Sequence, residues 1–136
     1  MSLPQKKFRE AVFQILYSFT LDDKCDDLVI PLVMKTLKIS KKNTENAFEK
    51  AKKIFMAREQ MDSYIKEAST AYEFHRISSV EKTILRLALY EIFFEPSLDH
   101  NISIAEAIRL TKKFSSSESA GYVHAILDAA YKNFKK

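Results

Sequence analysis

Several residue types are scarce in this sequence, and each scarcity excludes something. One glycine and three prolines in 136 residues leave little for the tight turns on which β-hairpins depend. The single cysteine, Cys25, excludes an intrachain disulfide and fits a reducing compartment. His75, His100 and His124 lie far apart, and none stands at metal-ligand spacing from Cys25, so no metal site is expected. No stretch reaches the roughly 18 apolar residues of a membrane span, and the N-terminus lacks a signal-peptide core. The expectation is a cytoplasmic soluble protein with no membrane contact. There is no glycine-rich phosphate loop, no nucleophile motif and no paired histidine, so neither an enzyme nor a bound cofactor is expected.

What is present is helical periodicity. Hydrophobic residues make up 46% of the chain and charged residues 29%, close to soluble globular averages and enough for a core. In the first helix Phe8, Val12, Ile15, Leu16 and Phe19 form one stripe. The opposite strip carries Lys6, Arg9, Glu10, Phe13 and Tyr17. Residues 21–27 read as a polar connection, and a short helix follows over 28–38 with Pro31 in its first turn. A break at 39–43 precedes one long helix over 44–68. Its stripe of Ala47, Ala51, Ile54, Met61, Ile65 and Ala68 is interrupted by Arg58.

Ser78 and Glu81 form a capping-box pattern that opens a helix over 79–95. That helix is apolar on most sides, which marks it as central. Ser103 and Glu106 repeat the pattern and predict a fifth helix to about Phe114. The polar stretch 115–119 precedes a last helix whose face is Tyr122, Val123, Ile126, Leu127, Ala130 and Phe134. The reading is a compact all-α fold of about six to seven helices, one domain over 1–136.

The net charge is +4, which permits a polyanionic partner without requiring one. Lys6, Lys7 and Arg9 sit where the helix dipole disfavours cations. They either hold phosphates, with Phe13 and Tyr17 beside them, or form a solvated helix end. Residues 35–53 carry seven lysines against two glutamates, a local +5. This run is either a binding face or a solvated one relieved by local pairs from Glu49. Arg86 lies inside the most apolar helix. Its charge needs either a carboxylate from another helix or an outlet at a partner surface.

These residues resemble a known family. "VEKTILRLALYEIFF", "SIAEAIRLTKKF" and "YVHAILDAA" look like the C-terminal half of the transcription antitermination factor NusB family. "KKFREAVFQILYSF" resembles that family's arginine-rich first helix; residues 21–70 match only as helical pattern. The resemblance implies two helical subdomains around a central helix and no catalysis. It implies pairing with NusE, a small-subunit ribosomal protein, and joint binding of boxA in nascent RNA. That pairing tethers an RNA polymerase antitermination complex on ribosomal RNA operons. Residue by residue, the RNA side maps to Lys6, Lys7, Arg9, Lys113, Phe114, Glu118 and Tyr122. The partner side maps to Tyr17, Glu81 and Arg86.

The sequence also departs from the family. The basic start has only one Arg, and Lys cannot supply its bidentate fork. Gly121-Tyr122-Val123-His124-Ala125 stands where similar proteins have K-F-V-N-G. RNA binding that depends on a partner is therefore expected. The alternative is a protein–protein adaptor with weak or lost specific RNA binding. The accessory domain of an RNA cytosine methyltransferase has a similar fold, but needs a catalytic segment that these residues do not hold. Some similar proteins dimerise by burying the RNA face, so a homodimer fits the resemblance too.

Overall fold

The computed structural model describes residues 4–21, 26–69 and 71–134. Among them every regular element is an α-helix. In chain order these are α1 (Gln5–Leu21), α2 (Asp26–Leu37), α3 (Lys41–Met56), α4 (Arg58–Ala68), α5 (Ala71–Arg76), α6 (Ser79–Phe94), α7 (His100–Phe114) and α8 (Ser117–Phe134). The helices group into two compact units, residues 1–56 and 57–136.

In the first unit α1 packs along α3, and α2 lies against both. Val12, Ile15 and Leu16 of α1 are fully buried, as are Ala47, Ala51 and Ile54 of α3. The two alanines let the helix axes approach closely. Phe19 closes the far end, its ring edge-on to Phe48 and Phe55 with centroids 5.5 Å away in both cases.

The helix expected over 28–38 begins two residues earlier, which puts Pro31 beyond the first turn. Its ring removes the bond to the carbonyl of residue 27, a loss softened because Pro31 is exposed to water. Lys38, at φ 56°, ends the helix in the left-handed conformation. Ile39 N–H then donates to the Met34 carbonyl at 3.2 Å, the six-to-one bond of a Schellman cap. Ser40 caps α3 by accepting from Asn43 N–H at 3.1 Å.

The long helix expected over 44–68 is two helices. Ala57, with φ −96° and ψ 10°, departs from helical geometry between α3 and α4. In the second unit α4, α7 and α8 pack around α6. Ile84, Leu85 and Leu89 have no exposed surface, so α6 is the central element that its apolar sequence implies. Ser78 caps it by accepting from Glu81 N–H at 3.2 Å.

The second capping box is not one. Asp99 caps α7 instead, accepting from Asn101 N–H at 2.9 Å. Ser103 and Glu106 lie inside the helix, where Ser103 Oγ donates to the buried Glu91 carboxylate at 3.0 Å. Ser116 caps α8 through Ser119 N–H at 3.1 Å. No helix among the described residues is long and apolar enough to cross a membrane.

Candidate functional site

The first unit carries the basic start. Lys6 and Lys7 lie exposed in the opening turn of α1, against the helix dipole. Arg9 does not join them, because it is only 4% exposed. Glu10 and Phe13 are buried as well. The strip that hydrophobicity assigns to the outside of α1 is therefore enclosed from Arg9 to Phe13. A cation so enclosed is held by the protein around it. Tyr17 is half-buried, and its ring stacks on Phe13 with centroids 6.1 Å apart.

The second unit gathers three of the expected residues. A cleft of ≈ 330 Å³ is lined by Arg76, Ile77, Glu81, Glu118, Ser119 and Tyr122. The first turns of α6 and α8 both reach it, through Glu81 and Glu118 respectively. Glu81 Oε2 accepts from Ser115 Oγ at 2.7 Å, which ties the start of α6 to the turn before α8. Burial pushes the Glu81 carboxyl up. Hydrogen bonds from Ser115, Ser119 and Ser78 outweigh that effect and hold it below its ordinary value. Glu81 is therefore ionised at neutral pH and fixed in direction.

Tyr122 offers a half-exposed ring on one wall of the cleft, and Arg76 brings the cation. The carboxylates can accept N–H donors, the ring can stack, and the guanidinium can meet an anion. Lys113, exposed at the end of α7, holds its ammonium 5.5 Å from the Phe114 ring centroid.

Arg86 takes the intramolecular alternative. Its Nε and Nη2 donate to Asp62 Oδ1 and Oδ2, each at 2.8 Å. The side chains are 12% and 17% exposed, so this is a largely enclosed bidentate pair between α6 and α4. A guanidinium held in this way braces α6 against α4.

Arg76, Ser115 and Ser119 were missed by sequence reasoning. The serine-rich stretch was the available signal, since a carboxylate at a helix start needs donors that its own helix cannot supply. Asp62 had no signal, because its partner lies 24 residues away on another helix.

Comparison with known proteins agrees with this architecture. A model described as the NusB family matches residues 6–132. The transcription antitermination protein NusB of Chlamydia pneumoniae is 38% identical over 92% of this chain and 78% of its own length. That of Clostridium perfringens (strain SM101) is 32% identical over 95% of this chain and 97% of its own. Among solved structures, T. maritima NusB superposes with a TM-score of 0.78 at 27% identity, covering 97% of this chain and 93% of the other. A chain from a crystal structure of antitermination factors NusB and NusE in complex with dsRNA gives 0.74 at 25% identity, covering 96% and 97%. An all-helical chain matched almost end to end in sequence and in fold belongs to the NusB family of transcription antitermination proteins, which are not enzymes.

Proposed function

We propose that this chain pairs with a NusE-type ribosomal protein and that the pair binds boxA-type nascent RNA. It acts in the cytoplasm, within an RNA polymerase antitermination complex on ribosomal RNA operons. The observation that carries this reading is the cleft where Glu81, Glu118 and Tyr122 meet. The similarity to a chain solved with NusE and dsRNA supports the same partners. Residues 1–136 act as one NusB-like domain in this reading, which a family match running across residues 56 and 57 supports.

In this mechanism nothing is made or broken. Lys6, Lys7 and Lys113 neutralise phosphates, and each contact releases counterions. Phe114 and Tyr122 offer rings to bases, and Glu118 accepts base N–H donors. Tyr17 and the oriented Glu81 carboxylate face the protein partner. Arg9 and Arg86 serve as positioning residues that keep α1 and the α4–α6 pair in place.

A second reading, an adaptor with weak specific RNA binding, draws on two observations. Arg9 is buried, and two carboxylates share the cleft with a single Arg. Titration of labelled boxA RNA into the chain, alone and with its NusE-type partner, separates the readings. Tighter binding of boxA than of scrambled RNA by the pair supports the first. Equal binding supports the adaptor.

A further inference from the structure

The α2 segment, DDLVIPLVMKTL, is apolar almost all round. A helix of that kind ordinarily lies enclosed by others. Here only one side is covered. Val29 and Val33 are buried, whereas Leu28 is 72% exposed and Leu32 63%. Pro31 and Lys35 are exposed as well. At 3.6 residues per turn, Leu28, Pro31, Leu32 and Lys35 fall within about 100° of one another. They form one continuous strip with an aliphatic middle and a cationic end.

The cationic end continues past the helix. Lys38, Lys41 and Lys42 are exposed, so four lysines crowd into residues 35–42. Lys41 and Lys42 occupy the first turn of α3, which holds no acidic residue. Cations there oppose the α3 dipole.

We propose that the Leu28–Pro31–Leu32 strip is a docking site for an acidic amphipathic helix of a protein partner. Leucines of that helix lie on the strip, and its carboxylates meet Lys35, Lys38, Lys41 and Lys42. The chemistry selects this occupant on two grounds. Four cations at one end demand negative charge and set the direction of docking. The apolar part is Leu and Pro, with no ring in the strip, and aliphatic surface accepts the face of an amphipathic helix but gives bases nothing to stack on. The site shares no residue with those assigned to RNA above and does not depend on that reading.

The test uses the full chain and a fluorescein-labelled synthetic peptide of about four helical turns. The peptide has leucines along one face and glutamates beside them. A matched peptide carries lysine in place of every glutamate. The acidic peptide is expected to bind and the basic one not. Leu28→Glu with Leu32→Glu should weaken binding by about 10-fold or more. Lys35→Glu, Lys41→Glu and Lys42→Glu together should transfer preference to the basic peptide. The two α3 changes favour the helix dipole whereas Lys35→Glu opposes that of α2, so thermal unfolding of the triple variant is measured beside binding, and a folded variant that still prefers the acidic peptide overturns the proposal.

The proposal is overturned by equal binding of both peptides, or by no binding at about millimolar acidic peptide. Retained binding in the leucine variant also overturns it. Oligo(U) binding that needs the lysines but not the leucines would make the patch an RNA site. A concentration-dependent dimer abolished by the leucine changes, with no peptide bound, would make it a face between copies.

Discussion

Arg86 on α6 donates two parallel hydrogen bonds to Asp62 on α4, both at 2.8 Å, and so locks the central helix to its neighbour. The pair is largely enclosed, so removing one member strands the other's charge. Asp62→Ala is expected to lower stability by about 2–3 kcal/mol. Arg86→Met combined with Asp62→Leu should cost less than Asp62→Ala alone, because no charge is left unpaired. Urea unfolding of the two variants measures both values. A double variant less stable than Asp62→Ala would mean that the pair contributes more than mutual neutralisation.

The Glu81 carboxyl sits below its ordinary value, so it stabilises the fold in its ionised form. That contribution is fully present above the unfolded value of 4.5 and fades as pH falls through the lower folded value. Ser115→Ala removes one donor, and the Glu81 carboxyl should titrate at higher pH than in the parent. The stability gap between parent and variant should be constant at neutral pH and shrink on acidification below 4.5. Carbon-13 NMR titration of Glu81, with unfolding at several pH values, checks both statements.

Gly121 lies exposed inside α8, and a Cβ added there meets nothing within 4 Å. Gly121→Ala should therefore stabilise the protein by roughly 0.5–1 kcal/mol. Thermal unfolding gives the sign. A loss of RNA affinity in this more stable variant would place a ligand's backbone against that position.

Arg9 and the two lysines before it should behave oppositely. Arg9→Ala opens an enclosed site and should lower stability by about 1–3 kcal/mol while leaving the salt dependence of RNA binding unchanged. Lys6→Ala with Lys7→Ala should leave stability within about 0.5 kcal/mol of the parent. Chemical denaturation together with RNA titration distinguishes the two behaviours.

Much of the fold was legible because its signals are local. The apolar sequence of α6 and the Ser78 cap need no tertiary information, and both are where the pattern puts them. The break at Ala57 was invisible because alanine is the best helix former and no Gly or Pro marks the spot. Ser103 and Glu106 matched a capping box by spacing, yet Asp99 lies closer to the true start and takes the role. The burial of Arg9 and Phe13 was hidden because a helical wheel ranks faces by hydrophobicity and knows nothing of what covers the second face. The cleft was only half legible. Glu81 and Tyr122 lie on α6 and α8 with α7 between them in sequence, and the serines that join their helix starts read as loop. The Arg86–Asp62 pair spans 24 residues, a separation at which no local pattern joins the two.

The central claim is that this chain holds RNA through exposed cations together with a partner. The most direct measurement is the salt dependence of boxA RNA affinity for the complex with its NusE-type partner, in the parent and in Lys6→Ala with Lys7→Ala. The double variant should bind more weakly, and its slope of log K against log salt should be shallower by about 1.4, near 0.7 for each lost phosphate contact on a single strand. An unchanged slope, or a complex that binds scrambled RNA as tightly as boxA, would contradict the account.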